Sequence, residues 1–145
     1  MANNNTARTN NFIQQLNIQQ LNLSLISLCQ SHNEEERHSI DYKIQVKATG
    51  ILKHGGDLEK ISRKLADSQE CLEYAQNSKK KSDWEDIPFF QGRVSKLQQQ
   101  VRELDQKTRQ VKQEYAEAKA ELEANRNYSH QLTRALWVTS EEVEI

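Results

Sequence analysis

The chain has 145 residues, of which only 35% are hydrophobic and 6% aromatic, with a mean hydropathy of −0.93. Globular domains usually run about 45–50% apolar, so this composition excludes a large compact core and favours long helices that bury a narrow stripe. Charged residues make up 28% and nearly balance, for a formal net charge of −1, which disfavours a nucleic-acid module with its usual basic excess.

Four glycines and one proline leave few interruptions for helices, since both residues break them. Cys29 and Cys71 are too few for a disulfide framework and read as reduced thiols, which points to an intracellular, cytoplasmic setting. No apolar run reaches the ~18 residues of a membrane span. Residues 1–10 are Asn-rich and lack the cationic and apolar regions of a secretory signal. They are expected to form a disordered tail.

An N-terminal helical region is expected over 11–54. Phe12, Leu16, Leu21, Leu25 and Leu28 fall near helical spacing, widened by Ile13, Ile18 and Ile26. Leu21, Leu23 and Leu25 also alternate with polar residues, as in a strand. Ser31 to Arg37 reads as a loop or an exposed helical turn. Ile40, Tyr42, Ile44 and Val46 alternate again, a half-buried strand pattern, while Ile40, Ile44, Ala48 and Ile51 make a helical stripe. A strand needs a partner strand, and the only other alternation is weak, so helix is favoured in both places.

Gly55-Gly56 predicts a break, with Asp57 as an N-cap. A helix over 57–80 follows, carrying Leu58, Ile61, Leu65, Leu72 and Ala75 at heptad spacing with Ser68 in the gap. Lys79, Lys80 and Lys81 suit its last turn, where cations complement the helix dipole. An aromatic connector spans 82–92, and Pro88 disfavours helix at Ile87.

A long helix is expected over 93–143. With Val94 at position a, the frame places Val101, Thr108, Tyr115, Leu122, Ser129, Leu136 and Val143 at a. Leu97, Leu104, Val111, Ala118, Asn125, Leu132 and Thr139 then fall at d. An unbroken seven-residue period implies a left-handed supercoil with another helix. Polar Thr108, Asn125 and Ser129 either drift to the surface or select register. Glu103–Lys107 and Asp105–Arg109 are i,i+4 pairs with the acid first. In a parallel homodimer Glu114 would face Lys119 across the edge of the seam.

The resulting fold class is all-α, a helical hairpin or coiled coil with a long C-terminal helix and smaller N-terminal helices. The hairpin comprises 57–145, with the helix from Asp57 folding back on about Val94 to Tyr115. Leu122 to Val143 would then project with an unpaired seam. The candidate partner-binding residues are Leu122, Leu132, Leu136, Trp137 and Val143, with Trp84, Phe89 and Phe90 of the connector. The connector aromatics, Ile87 included, fit either a plug at the bend or an exposed anchor, since aromatics dominate interface energetics.

Cys29, His32 and His38 resemble half of a metal site, but structural zinc takes four ligands and no second pair stands at useful spacing. Gly50, Gly55 and Gly56 match no phosphate loop, and no nucleophile elbow or triad signature occurs. The expectation is therefore a non-catalytic interaction subunit with no cofactor, metal or small-molecule substrate. Its protein partner, self or heterologous, would bind through coiled-coil contacts in an adaptor, structural or assembly role. The alternative is a nucleic-acid-associated or regulatory factor using Lys79 to Lys81.

Overall fold

The computed structural model describes the backbone of residues 2–143 and the side chains of residues 6–141. Within these the fold is an all-α helical hairpin, with two long helices packed antiparallel and no strand. Helix α1 spans Ala2–Asn77, a short α2 spans Lys81–Trp84, and α3 spans Ile87–Val143. The chain divides into two compact units, Met1–Tyr42 with Ala118–Ile145, and Lys43–Glu117.

In the first unit the contact residues of α1 recur every seven. Leu16, Leu23, Gln30 and Arg37 form one row, and Gln19, Ile26, Asn33 and Ile40 the other; all are buried or half-buried. Opposite them α3 contributes Ala118, Leu122, Asn125, Ser129, Leu132, Leu136 and Thr139. The pairing is antiparallel: Cys29 lies by Tyr128, and Asn33 by Asn125.

In the second unit the α1 rows are Ile44, Ile51, Leu58, Leu65 and Leu72, and Lys47, His54, Ile61, Ser68 and Ala75. Here α3 supplies Val94, Leu97, Val101, Leu104, Thr108, Val111 and Tyr115, all at least half-buried. Lys47 meets Glu114, and a side chain added at Gly50 would meet Val111 Cγ1 at 3.4 Å.

Several expectations are corrected. There are no smaller N-terminal helices, because α1 runs without interruption through 31–37 and through Gly55-Gly56. Both glycines keep negative φ. Each costs a helix only about 1 kcal/mol relative to Ala, while Ile51 and His54 before them and Leu58 and Ile61 after them hold one continuous stripe against α3. The tail expected to be disordered is helical over 2–10, and Met1 lies outside the described residues. Lys79 and Lys80 fall beyond the end of α1 rather than in its last turn, and Lys81 opens α2.

The connection is compact. Asp83 N–H donates to Lys80 O, Asp86 N–H to Asp83 O, and Phe90 N–H to Asp86 O at 3.1 Å. Pro88 sits in the first turn of α3, where a missing N–H leaves no helix bond unmade. This is why Ile87 is helical despite the following proline.

Candidate interaction surface

The seam contains a polar layer in the first unit. Asn125 Nδ2 donates to Asn33 Oδ1 at 2.9 Å and to Asn33 O at 3.0 Å. Asn33 Nδ2 returns a bond to Asn125 O at 3.3 Å, and Arg37 Nε donates to Asn125 Oδ1 at 3.0 Å. Both asparagines are buried, so these reciprocal bonds offset the desolvation of amides in an otherwise apolar contact. Thr108 is also buried and satisfies its hydroxyl locally, donating to Leu104 O at 2.8 Å. Asn125 and Thr108 are thus seam residues with partners, not surface drift.

In the second unit Lys47 Nζ and Glu114 Oε2 form a half-buried ion pair. The hydrogen bond from Lys47 is the main cause that holds the Glu114 carboxyl below its ordinary range; desolvation opposes it. A carboxyl lowered in the folded state stabilises it at neutral pH and loses that contribution as pH falls through the lowered value. Glu114 is therefore engaged within the hairpin rather than held for Lys119 of a parallel copy. Arg109 bonds Asp105 at 3.1 Å, the i,i+4 pair expected from sequence.

The sequence-derived candidates on α3 of the first unit differ in exposure. Leu132 is buried at 8% exposure, and Leu122 and Leu136 are half-buried. The idea that α3 projects beyond its hairpin partner is overturned, because α1 extends far enough to cover Leu132 and Asn125 within the first unit. Substituting Leu122 and Leu132 would disrupt the hairpin before it tested association. Trp137 is 67% exposed, and the Val143 side chain lies outside the described residues.

At the connection Trp84 Nε1 donates to Ser78 O at 2.8 Å while much of its ring stays exposed. Ser78 Oγ bonds Asp83 Oδ2 and accepts from Lys80 N–H. Phe89 is exposed and Phe90 half-buried, and their rings meet edge to face at 5.4 Å. Cys71, Tyr74, Ala75, Asp83, Asp86 and Phe90 line an open groove there. The three lysines are exposed, with Asp83 and Asp86 close in the same turn.

No known protein family, curated protein or solved structure matches this chain. Among the described residues no helix is long and apolar enough to cross a membrane, and no group of three or more His, Cys, Asp or Glu side chains could hold a metal ion. Cys29 and Cys71 are free and exposed. Cys29 lies beside Tyr128, and its charge, with desolvation, pushes the phenol above its ordinary range. His54 Nδ1 is buried without a hydrogen-bond partner.

Several apolar side chains that helical spacing puts in one stripe of α1 lie outside the seam. Ile18, Leu21, Leu25 and Leu28 are all at least half exposed, as are Phe12 and Tyr42. Their signal was present as an excess of leucine and isoleucine beyond what one seam can hold.

Proposed function

We propose that this chain is a non-catalytic protein-interaction subunit, an adaptor, structural or assembly component, acting through helix-face contacts in a homo- or hetero-oligomeric complex. The observation that carries this reading is the apolar surface left over once the hairpin seam is closed. Ile18, Leu21, Leu25 and Leu28 follow one another along one face of α1 and are each at least half exposed. Single exposed apolar residues are ordinary, but clustered ones are characteristic of contact surfaces. A reducing, cytoplasmic setting belongs to the same reading and is supported by the two free thiols. The lysine run is the weaker basis for function, because Asp83 and Asp86 lie close to it in sequence and offset its charge.

The reading is tested by light scattering on the full chain across concentration, together with recovery of proteins bound to tagged chain. Association is expected, and Leu21→Ala or Leu28→Ala should weaken it without loss of helicity. Burying a leucine side chain at a contact is worth about 2 kcal/mol. A chain that stays monomeric and binds no protein would reject the reading. Retention on immobilised nucleic acid that falls steeply with salt would favour the lysine patch instead.

A further inference from the structure

Ile18, Leu21, Leu25 and Leu28 follow one another at steps of three, four and three. This is the spacing of a second heptad stripe on α1. The seam residues around them are Leu16, Gln19, Leu23, Ile26 and Gln30. In that frame the second stripe occupies positions c and f, on the side of the helix away from a and d. Helix α3 packs on the first stripe, and the second is left 50% to 68% exposed.

The surroundings of this stripe are unlike the rest of the chain. From Thr9 to Asn33 there is no Asp, Glu, Lys or Arg, although 28% of the whole chain is charged. The polar residues interleaved with the stripe are Asn17, Gln20, Asn22, Ser24 and Ser27. A contact between identical copies must be complementary to itself. A rim of one charge sign sets like charge near like charge in such a contact, whereas amides and hydroxyls both donate and accept. The seam of this hairpin already pairs amide with amide at Asn33 and Asn125.

We infer that the outer stripe of α1, Ile18, Leu21, Leu25 and Leu28, binds the same stripe of a second copy of this chain in antiparallel orientation. This identifies the partner of the interaction surface and rests on the reading above. Charge sets the direction. Glu34, Glu35 and Glu36 follow the stripe directly, and parallel pairing would bring two such acidic runs together. Antiparallel pairing about the stripe's midpoint places Leu21 against Leu25 and Ile18 against Leu28. It sets each acidic run beside the uncharged Asn10 and Asn11 of the other copy, toward Arg8. The two runs then lie about two dozen residues apart along the axis, or roughly 35 Å.

The area suits a reversible dimer. Four half-exposed aliphatic side chains of ~100 Å² each, with the amides between them, give about 600 Å² per copy and roughly 1,200 Å² in all, the lower edge of stable interfaces. Dimerisation is therefore expected to vary with concentration. Having few charges to screen, it should change little with salt.

The experiment is sedimentation equilibrium of the full chain, the variant Leu21→Gln/Leu25→Gln, and the control Leu52→Gln, which alters an exposed leucine away from the stripe. The wild-type chain should pass from monomer to dimer with rising concentration. The double variant should need at least tenfold more protein to dimerise, with unchanged helicity in dilute solution because the seam is untouched. The control should behave as wild type. Orientation is read from Cys29 in a Cys71→Ser chain under mild oxidation. Antiparallel copies hold the two Cys29 residues about a dozen residues apart, roughly 18 Å, beyond disulfide reach, so no Cys29-linked dimer should form.

A wild-type chain that stays monomeric overturns the inference, while capture of a different protein would keep the broader reading. A double variant that dimerises like wild type shows that another face mediates self-association. A Cys29-linked dimer overturns the antiparallel arrangement.

Discussion

Asn125 occupies a core position of α3, and all its amide groups are used across the contact by Asn33 and Arg37. Truncation to Ala would strand the buried Asn33 amide. Asn125→Ala should therefore destabilise the hairpin by about 1–3 kcal/mol, read by chemical denaturation. Replacing both asparagines by Leu should restore stability, because a matched apolar pair leaves no buried Asn33 amide unsatisfied. The cost should appear in register, since a polar layer is satisfied in one alignment only. The double variant should populate additional species on native chromatography, and one sharp monomer or dimer profile would argue against a register role. The polarity of Asn125 at a seam position was legible in the sequence. Its partner was not, because Asn33 lies in a polar stretch, Ser31 to Arg37, with no apolar periodicity of its own.

At the level of elements, two stretches alternate like strands and are nevertheless helix. In Leu21, Leu23 and Leu25, the middle residue is in the seam and the outer two are on the second stripe. Ile40 and Ile44 are likewise in the seam, while Tyr42 and Val46 face outward. Residues two apart are about 200° apart around a helix of 3.6 residues per turn, so a helix with two apolar faces imitates a half-buried strand. The same two-faced character explains why helical spacing alone joins Leu21, Leu25 and Leu28 to Leu16, although Leu23, Ile26 and Gln30 are the residues that share the seam with it. Gly55 and Gly56 mislead in the other direction. A Cβ at either position would meet nothing within 4 Å, so neither glycine serves a close approach. Gly55→Ala/Gly56→Ala should stabilise the helix by about 1 kcal/mol per residue, raising the melting temperature by several degrees. A lower melting temperature would show that α1 bends at this pair.

For the whole molecule, the small core decides the energetics. Few side chains are buried: Ile40, Ala75, Val94, Leu97, Ala118 and Leu132 are the apolar ones among the described residues. A chain that buries so little has a small margin over its conformational entropy. Association that covers the outer apolar residues would add to that margin by mass action. The melting temperature followed by circular dichroism should therefore rise with protein concentration, whereas a self-sufficient hairpin would melt at one temperature throughout. Composition and heptad spacing determined, by themselves, that the chain is helical, that it forms a hairpin, and which stripe of α3 is the apolar one. These properties follow from local period and from how little apolar area there is to bury. The tertiary structure decided which stripe of α1 closes against α3 and that α1 crosses the glycine pair intact. It also showed that Leu132 and Asn125 are covered while Trp137 and the Leu21–Leu25 face stay open. One helix can present two apolar faces of equal spacing, and only the packing of the second helix distinguishes the buried face from the free one.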